Sequence, residues 1–431
     1  MRALRPLRRS AYRRLAAALA LSVLAEGLWT LAVVWQVVEL GGGPAGLSVV
    51  SGALALGVIV TALLGGVLAD RVPQKRILVG VMATLAVSIG LVAGLSALGA
   101  LSVPLLAVVA AAIGLSMGLF FPAYSALVPA MVDADELLAV NGLEGVVRPV
   151  LLLGAGPALA GLLVAAYSPA AALAATAVVC VAGLLAALSL PRRALRRDLD
   201  AEDAGGKGVG AVVRDLVEGF RYMVATRWLL VTLVFASLMV LVVLGPLEVL
   251  VPFAIIERAG GGPGGHSLVL LAHGAGGAIA SILVASLRLP RRYLTTMIVM
   301  WSAGCVPMVV FGLVSTLWPM IVAGFVVGAL FSAPQVIWGT LLQRRVPPAL
   351  LGRVTSLDFF VSLAFMPVSM TLAGPVSEVA GLTPVFLAAG LAPLVVGALA
   401  LVLGRLGPDE IAHPLDVATP DDEVRDGRQA A

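Results

Sequence analysis

Charged side chains inside long apolar stretches are the residues of this sequence best suited to chemistry. Glu26 lies near the middle of the apolar stretch 15–38. A charge at the centre of a membrane costs about 2.5–3.5 kcal/mol on insertion scales, so it usually serves a function. Desolvation favours the neutral form of a carboxyl and lets it exchange a proton under cellular conditions. We therefore predict that Glu26 is a protonation switch or a cation-binding group facing a central cavity. The alternative is a packing carboxyl that stays paired or protonated.

Arg148 lies in the apolar stretch 138–166 and keeps its charge at physiological pH, so it needs a partner. Glu144 lies one helical turn earlier, and Glu26 is a candidate on another helix. Protonation of either carboxylate would release Arg148 and help the helices rearrange, whereas a static ion pair would only fix their packing. Glu248 follows a Gly-Pro pair near the outer end of another stretch. It is a candidate for binding protons or substrate, and the alternative is a hydrated interfacial carboxylate.

Three further side chains in apolar stretches are candidates for contact with a substrate. His273 could titrate near neutrality, although a lone His among apolar neighbours is more often packed and hydrogen-bonded. Gln335 and Trp338 would offer a polar and a stacking contact to a large molecule, and simple packing explains them equally well. Asp358, near an end of its stretch, is predicted to be hydrated. With three His, no metal-ligand cluster and no nucleophile motif, the sequence predicts neither an enzyme nor a cofactor.

The elements that must position these residues are long apolar helices. Sixty per cent of the 431 residues are hydrophobic and only 12% are charged, about half the charged share of a soluble domain. About 20 apolar residues cross the hydrocarbon layer as a helix. The fold class predicted is an all-α integral membrane protein with about twelve spans, at 15–38, 47–68, 77–98, 105–128, 138–166, 170–190, 228–251, 267–287, 294–314, 319–341, 354–377 and 384–403.

The distribution of positive charge predicts the orientation of these spans. With an even number of spans and both termini in the cytoplasm, every Lys and Arg except Arg148 and Arg258 falls on the cytoplasmic side. This asymmetry is typical of membrane proteins. The net charge of +4 is thereby explained by orientation and by contact with anionic membrane lipids, and it does not imply nucleic-acid binding.

The chain divides into two halves that repeat weakly. We predict a six-helix bundle at 1–190, a cytoplasmic linker with an amphipathic helix at 191–227, a second six-helix bundle at 228–403 and a disordered cytoplasmic tail at 404–431. Gly156-Pro157 in the fifth span matches Gly374-Pro375 in the eleventh. The two buried thiols, in different halves, do not suggest a disulfide.

The charged turn after the second span carries a family resemblance. Its sequence, Gly66-Val-Leu-Ala-Asp-Arg-Val-Pro-Gln-Lys-Arg76, resembles the loop between the second and third helices of major facilitator superfamily transporters. That resemblance implies two parallel six-helix repeats around a site near the middle of the membrane. It also implies a conformational gate in which Gly66, Asp70, Arg71 and Lys75 hold the cytoplasmic side closed, with Asp70 and Arg71 near the start of the eleventh helix.

Further segments narrow the resemblance. Residues 122–141 and 342–353 are similar to matching loops of the enterobactin-exporter-like and macrolide-efflux-like branch. The run Gly154-Ala-Gly-Pro-Ala-Leu-Ala-Gly161 resembles the fifth-helix motif of proton-coupled antiporters. Gly156, Pro157 and Gly161 would then form a bend where the halves meet, since proline removes a backbone hydrogen bond and glycine permits close approach.

These observations predict a monomeric secondary transporter in the bacterial plasma membrane. Its expected activity is export of a lipophilic or amphipathic small molecule, such as a drug, macrolide or siderophore, in exchange for protons. A facilitator or symporter that imports a nutrient or metabolite is the first alternative, because the same fold allows it. A membrane-embedded enzyme and a non-transporting sensor are further alternatives. No phosphate-binding Gly-x-x-x-x-Gly-Lys-Ser/Thr loop is present, so ATP is not expected to drive transport.

Overall fold

The protein is an all-helical bundle, in agreement with the predicted fold class. The computed structural model describes residues 2–133, 136–191, 209–287 and 289–415. It describes the backbone alone for residues 2–4, 62–71, 126, 129–130, 138, 209–216, 348–349 and 356. Twelve helices of the described chain are long and apolar enough to cross a membrane. The first helical span already begins at Ser10, and the seventh continues beyond the predicted residue 251 to Ala259. It ends there because Gly260 adopts a left-handed φ of 58°.

The first half contains seven helices that make six spans. After a 3₁₀ turn at Arg2–Arg8 come α1 Ser10–Glu39, α2 Gly43–Arg71, α3 Gln74–Ala97, α4 Val103–Met131, α5 Leu137–Pro149, α6 Gly156–Ala166 and α7 Pro169–Leu188. A π-helical segment, Val150–Ala155, joins α5 to α6, and together these three form the fifth span.

The second half repeats this order after a linker helix. The helices are α8 Val209–Ala225, α9 Arg227–Gly245, α10 Val251–Ala259, α11 Pro263–Ser286, α12 Tyr293–Cys305, α13 Met308–Leu313, α14 Leu317–Arg345, α15 Pro348–Leu363, α16 Met366–Ala380, α17 Leu382–Gly404 and α18 Leu406–Ala412. A π-helical segment, Pro246–Leu250, joins α9 to α10. The pairs α9–α10, α12–α13 and α15–α16 each form one span, and α8 is the helix predicted in the linker.

Facing glycines build the same helix crossing into both halves. In the first half, Gly57 of α2 and Gly114 of α4 lie so close to the facing helix that an added Cβ would clash with its backbone. In the second half, Gly276 of α11 and Gly328 of α14 do the same. Such close approach is typical of helices packed in membranes, where small residues let backbones meet.

The two halves contact each other through the ends of their helices that lie away from the chain termini. We call the side holding Ser10 and Gly404 the termini end and the opposite side the distal end. Near the distal end, the Gly374 amide on α16 donates to the Ser48 hydroxyl on α2 at 2.7 Å. The Ala45 amide donates to the Glu378 carboxylate at 3.2 Å. These two bonds attach the start of α2 to the second half.

A second seam between the halves joins α6 to α11. Gly161 faces Ser267, and Gly274 faces Leu153 just before α6. Gly274 is the glycine of this seam farthest from the distal end, eleven residues after Pro263 or roughly 16 Å along the helix. The close approaches of glycine between the halves thus lie in the distal part of the bundle. Nearer the termini end, α2 also touches α15.

The chain after the last span differs from its predicted disorder. Residues Leu406–Ala412 form α18, and Glu410 is fully buried. Its carboxylate accepts from the Leu294 amide at 2.8 Å and the Thr295 amide at 3.1 Å, and from the Thr295 hydroxyl at 2.6 Å. These bonds satisfy free donors at the start of α12 and dock α18 there. The rest of the predicted tail, 416–431, lies outside the described residues.

Candidate functional site

Glu26 lies near the middle of α1, where the sequence places it, and opens into a cavity of about 20 Å³. This is room for about one water molecule. The cavity is lined by α1, α3 and α4, through Ser22, Ala25, Glu26, Trp29, Leu85, Ile89, Ile113 and Met117. All of these residues belong to the first half. This small cavity is therefore not shared with the second half, and the role of Glu26 in a central cavity stays a prediction.

The neighbouring residue, Gly27, fixes α1 against the fifth span. A Cβ at Gly27 would come within 2.7 Å of the carbonyl oxygens of Leu151 and Leu152. Gly156, in the same span as these two residues, also faces Gly27. Leu151 and Leu152 belong to the π-helical segment, whose widened turn precedes Pro157. Gly156 therefore packs inside the first half, whereas Gly161 of the predicted bend faces Ser267 of the second half.

Arg148 does not form the predicted ion pair with Glu144. Its guanidinium lies over the ring of Phe121, 4.0 Å from the ring centroid, and its side chain is exposed. Cation–π contact of this kind stabilises a charge without a carboxylate. Arg148 is the charged group that attracts the Glu26 carboxylate electrostatically. Among the described residues, however, no carboxylate oxygen lies within 4 Å of it in an ion pair.

Glu144 is held by a tyrosine instead. The Tyr124 hydroxyl on α4 donates to the Glu144 carboxylate at 2.8 Å. Tyr124 and Tyr12, a tyrosine on α1, are both almost completely buried. The bond from Tyr124 links α4 to α5 near the termini end.

The second half presents one acid deep within its bundle. Glu248 lies in the π-helical segment between α9 and α10, where its neighbours Val249 and Leu250 are fully buried. Its own side chain is exposed. The structure thus places Glu26 and Glu248 in separate environments, one in each half.

The predicted substrate contacts of the second half are mostly packed. Trp338 is 5% exposed, and its indole N–H donates to Asp358 at 3.0 Å, so it does not line an open cavity. Asp358, expected to be hydrated, also accepts from the Ser362 hydroxyl. The His273 side chain is partly buried on α11. Gln335 is exposed on α14.

Of the predicted gate residues in the charged turn, the structure describes the side chain of Lys75 alone. The Lys75 ammonium donates to the carbonyls of Leu188, at 2.8 Å, and Leu190. A cation is stabilised there because the last carbonyls of a helix lack partners. Lys75 thus binds its own half in this conformation, and its part in the predicted gate stays a prediction. The side chains of Gly66, Asp70 and Arg71 lie outside the described residues.

Several residues that shape the site were missed in the sequence. Gly27, Phe121 and Tyr124 position α1, Arg148 and Glu144. Gly27 sits beside an intramembrane acid, which was a usable signal, because small residues often mark close helix contacts. The contacts of the two aromatic residues join different helices and had no signal in the local sequence.

The comparisons with known proteins agree with this architecture. The sequence profile of the transmembrane secretion effector family matches residues 1–421. The multidrug efflux pump Tap of Mycobacterium tuberculosis is 27% identical over 266 residues, which span 62% of this chain and 62% of that protein. The multidrug efflux pump Tap of Mycolicibacterium fortuitum is 30% identical over 204 residues, 47% of this chain and 49% of its own. The chain therefore matches less than two thirds of the length of these relatives.

A solved structure shares the fold over nearly the whole chain. The nucleoside transporter NupG superimposes with a TM-score of 0.73 at 13% sequence identity, and the match covers 91% of this chain and 99% of that one. At this identity the likeness shows the fold alone. The family profile and the twelve-span bundle agree with the resemblance drawn from the charged turn. The chain belongs to the transmembrane secretion effector family of major facilitator superfamily transporters.

Proposed function

We propose that this transporter exports lipophilic or amphipathic small molecules in exchange for protons, across a bacterial plasma membrane with both termini in the cytoplasm. The observation that carries the proposal is Glu26, an acid at mid-membrane depth beside a cavity with room for about one water molecule. The similarity to two pumps described as multidrug efflux pumps supports the direction of transport. The distribution of Lys and Arg supports the orientation.

In the proposed cycle, Glu26 takes up and releases the coupling proton. Arg148 is the neighbouring charge, and it rests on Phe121 without a permanent carboxylate partner. A change of charge at Glu26 would therefore change the field on an arginine that is free to move. Gly27 lies in contact with the fifth span, so a shift of α1 is transmitted to the helix that meets the second half at Gly161.

In this orientation the conformation described above faces the cytoplasm. The distal ends, where α2 meets α16 and α6 meets α11, would lie outside and be closed. A substrate would then enter from the cytoplasm or the inner leaflet. Opening the distal seams is the step that would release it outside.

The energy available is sufficient for export. One proton moving down about 100 mV supplies about 2.3 kcal/mol, and one pH unit adds about 1.4 kcal/mol. Their sum supports a substrate gradient of roughly 500-fold.

Efflux from proteoliposomes under an imposed pH gradient tests the proposal. Ethidium and a neutral lipophilic dye serve as test substrates for the parent protein and for Glu26→Gln, Arg148→Ala and Glu257→Gln. Glu257 is an exposed acid at the distal end of α10 and serves as the matched control. We expect the pH gradient to drive efflux in the parent and in Glu257→Gln only. Coupling that is unchanged in Glu26→Gln, or uptake that persists without a gradient, would contradict the proposal.

A further inference from the structure

A second cavity lies away from Glu26, at the termini end of the second half. It has a volume of about 650 Å³, within the range of small-molecule sites. Its walls come from the end of α8, the start of α9, the end of α14 and the chain around α18. No step of the transport cycle proposed above uses it.

Three arginines line this cavity. The Arg227 guanidinium donates to the Leu403 carbonyl at 2.6 Å, and that of Arg344 donates to the Leu415 carbonyl at 2.9 Å. A guanidinium carries five donors, so single bonds to carbonyls leave most of them available. Both side chains are exposed. Arg227 and Arg344 can therefore bind a ligand without breaking the contacts that hold them.

The third arginine is fixed in place. Arg345 is 8% exposed, pairs with the Asp409 carboxylate at 2.5 Å and lies over the ring of Trp228 at 4.6 Å. Asp409 neutralises one of the three positive charges. His413 lies beside Asp409, with its Nδ1 3.9 Å from the carboxylate. The cavity keeps an excess of positive charge from Arg227 and Arg344, which favours an anion.

The position of the cavity indicates the kind of anion. It lies at the ends of two spans, α9–α10 and α14, which is the depth at which lipid headgroups meet a membrane protein. Trp228 and Tyr222, two aromatic side chains of the kind enriched at this interface, form part of its wall. Planar guanidinium groups bind phosphate through paired hydrogen bonds. Basic pockets at the ends of spans are suited to anionic lipid headgroups.

We propose that this cavity binds the phosphate of an anionic lipid headgroup, through Arg227 and Arg344, with Arg345 and Trp228 as its fixed wall. The matching positions of the first half lack two of these arginines. Arg14 on α1 makes the same bond as Arg227, to the Ser189 carbonyl at 2.7 Å, but Ala130 and Met131 stand at the end of α4 where α14 carries its two arginines. The proposal is independent of the proposed proton coupling.

Native mass spectrometry of the purified transporter with phosphatidylglycerol tests the site. The variant is Arg227→Gln with Arg344→Gln, and the matched control is Arg13→Gln with Arg14→Gln, which removes two exposed arginines from the same end of the first half. Loss of both arginines should weaken the tightest lipid-binding event about a hundredfold in the variant, which is about tenfold for each charged hydrogen bond lost. The control should bind as the parent does.

Further arms distinguish the source of the phosphate. Phosphatidylcholine should bind the parent more weakly than phosphatidylglycerol, and inorganic phosphate at millimolar concentration should not displace the lipid. Displacement by inorganic phosphate would assign the cavity to a soluble anion and overturn the lipid proposal. Equal losses of lipid binding in the variant and the control would show that the lipid responds to general surface charge and would overturn the proposal. If the double variant fails to fold, Arg344→Gln alone tests the site by the same lipid-binding measurement, because it breaks only one bond to a carbonyl.

Discussion

Each half crosses two of its helices through facing glycines, Gly57 with Gly114 in the first and Gly276 with Gly328 in the second. In each half, an arginine also donates a hydrogen bond to a carbonyl at the end of that half's sixth span. This arginine is Arg14 in the first half and Arg227 in the second. These shared contacts are made by backbones and by small residues. The repeat is therefore conserved within the chain as a framework of helix approaches.

The polar side chains held by this framework differ between the halves. The first half holds Glu26 beside a cavity of about 20 Å³, with Arg148 as its neighbouring charge. The second half exposes the Glu248 side chain and adds the arginine cavity at its termini end. The framework is therefore repeated, while the polar side chains that it holds differ.

The glycine crossings are the strongest test of the shared framework. We expect Gly114→Val and Gly328→Val to destabilise the protein equally, by about 3 kcal/mol or more, because the new side chain would fall on the backbone of the facing helix. Thermal unfolding in detergent measures this. Gly80→Ala is the control, since nothing lies within 4 Å of an added Cβ there. A loss in only one of the two valine variants would break the equivalence of the crossings.

The chain termini give the next largest effect. Glu410→Ala should lower the free energy of unfolding by about 2 kcal/mol, because it removes the cap of α12 and three hydrogen bonds. It should also expose the chain around α18 to proteolysis. In the first half, Glu136 is 3% exposed and holds Arg9 at 2.7 Å, so Glu136→Ala should release the N-terminal turn in the same way.

Limited proteolysis with mapping of the cleavage sites distinguishes the two variants. Glu257→Ala, at an exposed position, is the control. Cleavage that stays as in the parent after Glu410→Ala would show that α18 is held by something other than this cap.

The bonds from α4 and α14 to the following span give the smallest effect. Tyr124 and Trp338 each donate to an acid twenty residues later, Glu144 and Asp358. Tyr124→Phe and Trp338→Phe should each cost about 1.5 kcal/mol, the contribution of a hydrogen bond to a charged group. Tyr167→Phe is the control for the loss of a hydroxyl, because Tyr167 is 78% exposed. The same unfolding assay measures both variants. A loss of stability in only one of them would mean that the two halves share the glycine crossings but not these hydrogen bonds.

The spans and their number follow from the sequence because the cost of placing polar groups in lipid dominates local preferences. The same cost made Glu26 conspicuous, and its position near the middle of α1 agrees with the prediction. The charged turn led to the family, since its residues are read in sequence order. These features depend on short stretches of chain.

Contacts between helices were not accessible in this way. The packing of Arg148 on Phe121, the tyrosine partner of Glu144 and the docking of Trp338 on Asp358 all join separate spans. The tail was predicted as disordered from its composition, yet α18 docks through the buried Glu410 carboxylate and through the pair Arg345–Asp409. A single capping residue is invisible to composition and becomes evident only when its partner is known.

Proton release on substrate binding tests the central claim, that coupling is assigned to the first half. Ethidium is added to the detergent-purified transporter in weak buffer, and a pH-sensitive dye reports released protons in the parent, Glu26→Gln and Glu248→Gln. We predict release in the parent and in Glu248→Gln, and none in Glu26→Gln. Release that persists in Glu26→Gln and disappears in Glu248→Gln would contradict the account.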